Sequence, residues 1–267
     1  MAKPVVPDEA RRRRRPTKQG TVLTHELIVE TALRMLREHG AQGLTARRLG
    51  LALGADASTV YRYFRGMDEL TRAIADELMH RAMTGWDPTG DWRTDLRALG
   101  LRVHAAYLAH PQAAVLAASR VSGREHEIAA DEAVLGLLRG AGFADPAAVR
   151  IYHVFIDQSL AFAALDAASL ALPEAARRAD EAVWQATYAR LPEQTHPHIA
   201  ATAGLLARRM NASAYPAALD LLLAAAATEL ESGTVNDDAG AARAPAPDDG
   251  TPRTGPRTDR PSARPRP

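Results

Sequence analysis

Apolar residues recur along this chain at helical spacing, and Gly and Pro cut them into short blocks. Thr24 precedes a block in which Ile28, Ala32, Met35 and Leu36 share a face, and Gly40 stands where that helix must stop, just after His39. Thr45 precedes a shorter block, ARRLGLAL, with Leu49 and Leu53 at i, i+4 and Gly54 as its stop. Asp56 is then placed to cap a third helix, Ala57 to Phe64. It turns Val60 and Phe64 inward and leaves Ser58, Thr59, Tyr61, Arg62 and Tyr63 outward. Gly66 opens a fourth, to about Arg81, with Leu70, Ile74 and Leu78 on one face. Asp68 and Glu69 occupy its first turn, where the helix dipole favours acids. Three short helices around one apolar centre predict a small head over 20–82.

The pattern stays helical from Asp91 to Ser232. Helices are predicted from Asp91 to Ala109, over PQAAVLAASR from Pro111, from His126 to Arg139 and from Pro146 to Leu172. On the last of these, Ile151, Phe155, Gln158, Phe162 and Leu165 are expected on one face, with Ala161, Ala164 and Ala168 on another. Further helices follow over 174–190, 198–210 and Pro216 to Glu231. No stretch sustains strand alternation. The fold class is therefore all-α, with a three-helix head and a larger helical domain over 83–232. Beyond Gly233 the chain turns to Pro, Gly, Asp, Thr and Arg without period, which predicts a disordered tail over 233–267.

Residues 44–64, LTARRLGLALGADASTVYRYF, read as a helix, a sharp turn and a second helix. In a helix-turn-helix the second helix enters the major groove and its N-terminal residues meet base edges. The order of elements over residues 24–78 resembles the DNA-binding domain of the TetR (tetracycline-repressor) family: helix, Gly, LT-x-RRL, Gly, a helix ending Y-x-Y-F, then acids before Leu. The resemblance implies that Thr45 and Arg47 meet backbone phosphates or the groove edge. It implies base- or groove-facing roles for Ala57, Ser58, Thr59 and Arg62, and phosphate contacts for the hydroxyls of Tyr61 and Tyr63. Members often carry Lys just before the fourth helix; here Met67 stands there, so the contact is lost or passes to Arg65. Arg47 and Arg48 alone would read as a solvated helix face, whereas inside this motif they read as DNA contacts.

Charge changes the picture only locally. The net charge of +1 excludes a chain basic all over, so affinity for DNA must come from clusters. Arg11 to Arg15, followed by Lys18, form a basic arm over 1–19 that reads as disordered. It is either a solvated tail or a strand of cations that lies along phosphates or enters the minor groove. With no cysteine, disulfides, thiolate metal sites and thiol catalysis are excluded. No apolar run reads as a membrane span and no apolar segment follows the basic start, so a cytoplasmic protein is expected.

The larger domain also resembles the family's tetracycline-repressor-like C-terminal class, through HPQAAVLAASR, LLRGAGFADPAAV and YPAALDLLLAAAATEL. That resemblance implies a homodimer whose long eighth helix and last helix pair with their copies, reading a palindromic operator. Small Ala residues and a Leu-rich final helix agree with a partner, though the same faces could be buried within one chain. A pocket for a small organic effector is also implied. Its candidates are His104, Tyr107, Leu116, Arg120, Tyr152, Phe155, Ser159, Phe162 and Trp184, each of which taken singly reads as core. Tetracycline repressors hold the drug's magnesium through a His in the segment matching AAVLAASR. Here that position is Leu116, which cannot bind a cation, so a magnesium–tetracycline chelate is not the expected ligand.

An enzyme needs a constellation of groups, and none emerges. His196 and His198 flank Pro197, and His153 and Asp157 stand one turn apart, which is the pattern of a polar pair more than of a metal site. There is no Gly-rich phosphate loop and no nucleophile elbow. No cofactor or metal is expected. The chain reads as a dimeric, ligand-responsive transcriptional regulator, a repressor released when a small molecule binds. The alternative is an all-α enzyme or protein-docking module in which the helix-turn-helix is accessory.

Overall fold

The computed structural model describes residues 22–210 and 212–241. Among them the chain forms eleven α-helices and no strand. The head comprises α1 (His25–Gly43), α2 (Ala46–Ala52), α3 (Ala57–Val60) and α4 (Met67–Met83). Thr24 caps α1 by accepting from the Leu27 amide at 3.2 Å, and Thr45 caps α2 by accepting from Arg48 at 3.3 Å. The first helical run breaks at Gly40, whose φ of 65° only glycine adopts without strain, and resumes to Gly43. Ile28, Leu36, Leu49, Val60, Phe64, Leu70 and Ile74 close the apolar centre.

Two details of α3 differ from expectation. Regular helix ends at Val60 rather than Phe64, and the chain tightens through Arg62 N to Thr59 O (3.2 Å) and Tyr63 N to Val60 O (3.0 Å). Ser, Thr, Val and Tyr in succession are mediocre helix formers, so burial of Phe64 decides the path. Asp56 has the extended backbone of an N-cap but makes no side-chain capping bond.

The body comprises α5 (Trp92–Leu108), α6 (Pro111–Ala117), α7 (Glu125–Gly140), α8 (Asp145–Ala171), α9 (Glu174–Ala186), a 3₁₀ turn at Tyr188–Arg190, α10 (Pro197–Arg209) and α11 (Tyr215–Ala241). Asp91 caps α5 by accepting from Thr94 at 3.1 Å. Burial pushes the Asp95 carboxyl up, but bonds from the Thr89 amide, the Thr89 hydroxyl and the Gly90 amide outweigh it and hold it below the usual range.

The long helix α8 packs against α5, α6 and α7. By length and composition it could cross a membrane, contrary to the sequence reading. Here its stripe of Ala148, Ile151, Phe155, Ser159, Ala163 and Ala167 is buried in protein. From Ile151 that stripe steps by four residues, whereas the expected face alternates steps of four and three, so the two diverge: Phe162 and Gln158 are half-buried and Leu165 is exposed.

Residues to Leu230 form one unit and those from Glu231 a second. The last helix does not stop near Glu231 but reaches Ala241, because one Gly at 233 costs only about 1 kcal/mol and no Pro intervenes. The basic arm, and the tail beyond Ala241, lie outside the described residues.

Candidate nucleic-acid interface and helical body

The turn between α2 and α3 depends on two glycines. Gly54, at φ 65°, carries the left-handed residue that ends α2. Gly50 is the tighter constraint: its carbonyl accepts from Leu53 and Ala55 at 3.1 and 2.8 Å. A Cβ there would stand 2.9 Å from both the Ala57 nitrogen and the Asp56 carbonyl carbon. The first turn of α3 thus rests directly on the backbone of α2. In the sequence, only the Gly inside an otherwise regular helical block signals this contact.

With α3 so placed, Thr45, Arg47, Arg48, Ser58, Tyr61, Arg62 and Arg65 are exposed, while Ala57 and Thr59 are half-buried. Arg62 is held by a 3.1 Å bond from Nη2 to the Thr59 hydroxyl, which fixes its guanidinium beside the start of α3. Arg65 donates its amide to Glu69 Oε2 at 2.6 Å, tying the end of the motif to the first turn of α4. Met67 packs half-buried against the core. Tyr63 departs from expectation. It is half-buried, its hydroxyl donates to Leu23 O at 2.9 Å, and its ring meets His25 edge-on. Its one proton is committed within the head rather than offered to phosphate.

The body gathers some effector candidates and disperses others. His104 stacks on Tyr215 with ring centroids 4.8 Å apart, and its Nε2 lies 2.8 Å from Asp166. Ser159 donates to Phe155 O at 2.6 Å and lies 2.7 Å from the Tyr215 hydroxyl. Burial pushes that hydroxyl up to about 12. Phe162 leans on the same Tyr215 ring. Gly100 admits this packing, since a Cβ there would stand 2.5 Å from the Tyr215 oxygen. Three candidates, His104, Ser159 and Phe162, therefore meet Tyr215, a residue not singled out from the sequence, and Phe155 joins them through its carbonyl to Ser159; Phe155 and Ser159 are fully buried.

The others lie apart. Tyr107 is buried core, and Leu116 is half-buried on α6. Tyr152 shares a hydrogen bond with Asp131, whose carboxyl is pushed up by burial. Arg120 pairs with Asp68 in the first turn of α4. The side chain of Trp184 lies outside the described residues. His153 and Asp157 form an exposed pair at 3.2 Å. Among the described residues no group of three potential ligands could hold a metal.

Arg120 belongs to a joint along α4. Arg124 reaches Glu69 at 3.4 Å, and buried Asp76 accepts from His126 Nδ1 at 2.9 Å and from the Glu127 amide at 3.0 Å. At the other end, Arg81 pairs with Glu77 on α4 and Glu30 on α1, and its Nη1 lies 2.7 Å from His110 Nε2. A cleft of about 230 Å³ lies nearby, between α1, the start of α6 and the end of α8. None of the nine effector candidates lines it.

Comparison with known proteins matches two family models to this geometry. Residues 28–74 match the model for bacterial regulatory proteins of the tetR family, and residues 84–232 match the tetracyclin repressor-like C-terminal domain. The HTH-type transcriptional repressor DrrR1 of Streptomyces coeruleorubidus is 31% identical over 135 residues, which are 50% of this chain and 50% of that protein. The chain spans about half the length of the curated relatives it matches. Apo ActR from Streptomyces coelicolor shares the fold at TM-score 0.69 and 21% identity, over 79% of this chain and 98% of its own. BioQ, solved with its double-stranded DNA operator, is 28% identical at TM-score 0.50, over 55% of this chain and 88% of its own.

Proposed function

The chain belongs to the tetR family of bacterial regulatory proteins, and from that premise we propose that it is a cytoplasmic, homodimeric transcriptional repressor, not an enzyme, released from a palindromic operator by a small organic molecule. The observation that carries this reading is the Gly50 turn, which supports α3 and leaves Ser58, Tyr61 and Arg62 exposed. Arg47, Arg48 and Arg65 add exposed cations suited to the phosphates on either side. The operator in the BioQ complex supports the same docking for this head.

Two copies are needed to read two half-sites, and exposed apolar residues on α8 and α11 support the pairing. Leu165 is 67% exposed and Leu221 73%, with Val149 and Val154 also uncovered. Isolated exposed leucines mean little, but on the two helices the family pairs they support a partner. The effector acts through α4, which joins the head to the body. Ligand must favour the form whose recognition helices no longer match successive major grooves, about 34–36 Å apart. The cluster around Tyr215 and Phe162 is the region proposed to sense it.

Footprinting on the DNA upstream of the protein's own gene tests this reading. Two protected half-sites one helical turn apart are expected, with protection lost in the charge-bearing variant Leu221→Glu as the dimer dissociates. Equal affinity for that fragment and for unrelated duplex at physiological salt would overturn it.

A further inference from the structure

Arg81, on the helix that joins head to body, commits its three nitrogens to three different elements. Nε donates to Glu77 on α4 itself at 2.8 Å, and Nη2 donates to Glu30 on α1. Nη1 lies 2.7 Å from Nε2 of His110, the residue at the N-cap of α6. A guanidinium only donates, so Nε2 offers a lone pair and the neutral ring carries its proton on Nδ1. That Nδ1–H is sealed from solvent and has no acceptor among the described residues, so nothing on that side of the ring stabilises a positive charge. The tie therefore holds only while the ring is neutral. A proton added at Nε2 takes the lone pair that Arg81 uses and sets two cations in contact. The charged groups acting on the ring come from α4, with Arg81 and Glu77, and from α1, with Arg37 and Glu30. The segment α6 carries no ionisable side chain, α5 meets this corner with the Tyr107 carbonyl, and α8 meets it with Leu170 and Ala171. Burial first, then the charges of Arg81 and Arg37, lower the pKa of His110, against the pull of Glu30 and Glu77.

We propose that His110 is an acid-sensitive latch between head and body: a proton at Nε2 expels Arg81, parts the start of α6 from α1 and α4, and weakens operator binding. The inference rests on the reading of the chain as an operator-binding regulator. The short helix α6 packs against both α1 and α4, so its first turn bears on the head from two sides. The unlatched form has somewhere to put its charges. Arg81 is already 29% exposed and Glu30 55%, so both can turn to water while the imidazolium stays behind. Operator binding needs both heads held at one spacing and therefore selects the latched form. The latched form excludes the proton. By reciprocity, acid and operator oppose one another, each weakening the hold of the other on the protein. The latch is separate from the Tyr215 cluster and does not depend on that cluster sensing an effector.

The test is fluorescence anisotropy of the full-length protein on operator and on random duplex, from about pH 7.5 to about pH 5.5. The random duplex cancels the effect of other histidines on phosphate affinity. The ratio of the two affinities should fall by about threefold to tenfold per head. The upper bound follows from an unlatched ring being roughly ten parts protonated to one at one pH unit below about 6.5. In His110→Gln the amide oxygen still accepts from Arg81 but does not titrate. Operator preference near pH 7.5 should persist in that variant, and its loss in acid should disappear; circular dichroism checks that both proteins stay folded. Hydrogen exchange in the α6 peptide, corrected for the intrinsic pH dependence of exchange, reads the opening without DNA. Protection should fall in acid in the wild type and hold in His110→Gln. The same pH dependence in both proteins, in either the affinity ratio or the α6 protection, would overturn the proposal. No preference for operator over random duplex at about pH 7.5 would count against the regulator reading instead, and the exchange measurement would still decide the latch.

Discussion

Asp76, buried in the middle of α4, accepts a 2.9 Å hydrogen bond from His126 Nδ1 at the start of α7. Its other oxygen accepts from the Glu127 amide at 3.0 Å and from Ser122 Oγ at 3.3 Å. One carboxylate on the helix that leaves the head therefore gathers the whole α6–α7 connection. Arg120 to Asp68 and Arg124 to Glu69 extend the same joint toward the N-terminal end of α4.

Replacing Asp76 should loosen that joint more than any surface ion pair would. Asp76→Ala leaves the Glu127 amide without its acceptor in a part-buried setting, at a cost of about 1–3 kcal/mol, while the Ser122 hydroxyl keeps Glu127 Oε2 at 3.0 Å. Asp68→Ala removes only an exposed partner and should cost no more than about 1 kcal/mol. Urea denaturation of both variants checks the contrast; equal losses would show that Asp76 is a surface contact in solution.

Gly50→Ala is expected to disable the head while leaving the body folded. Its new Cβ would sit 2.9 Å from backbone atoms of Asp56 and Ala57, which cannot rotate away as a side chain could. Either α3 shifts or the head loses about 1–3 kcal/mol, the usual cost of overpacking. Operator affinity should fall sharply with near-unchanged helical content by circular dichroism. Full operator affinity in this variant would mean that the turn tolerates a wider path.

The features legible in the sequence were those whose chemistry is local. Thr24 and Thr45 cap their own helices three residues on, and Gly40 and Gly54 adopt conformations that their position in a block dictates. Partners distant in sequence stayed hidden. Tyr63 bonds to a carbonyl 40 residues away, and Arg120 to a carboxylate 52 residues away, contacts that helical spacing does not encode. The long helices erred for another reason: α8 is so rich in Ala and Leu that periodicity could not select its buried stripe, and Leu165 went to the wrong side.

Stability should rise with pH across the histidine range, through His110. Burial lowers its pKa in the folded chain, so between the folded and unfolded values the unfolded chain binds the extra proton. This contribution is fully present above about 6.5, the unfolded value, and is lost as pH falls toward the lowered one. The melting temperature of the wild type should therefore drop between about pH 7.5 and pH 5.5. In His110→Gln the drop should be smaller. An identical pH slope in both proteins would remove His110 as its source.

Arg62 and Tyr63 are neighbours with opposite expected roles, and substituting each separates base reading from scaffolding. Arg62 is exposed and held to Thr59 at 3.1 Å, so its guanidinium is pre-oriented at no cost to the core. Arg62→Ala should weaken operator binding by about 1–3 kcal/mol, relax preference at one base pair per half-site and leave unfolding unchanged. Tyr63→Phe keeps the ring against His25 but removes the 2.9 Å bond to Leu23 O. It should cost about 0.5–1.5 kcal/mol of stability, with operator and random duplex affected alike. The measurements are fluorescence anisotropy on operator and random DNA across a salt series, beside a urea curve for each protein. If Arg62→Ala weakened both duplexes equally, Arg62 would be a phosphate contact. If Tyr63→Phe lost operator affinity with no loss of stability and a shallower salt slope, the hydroxyl would leave Leu23 for a phosphate on binding.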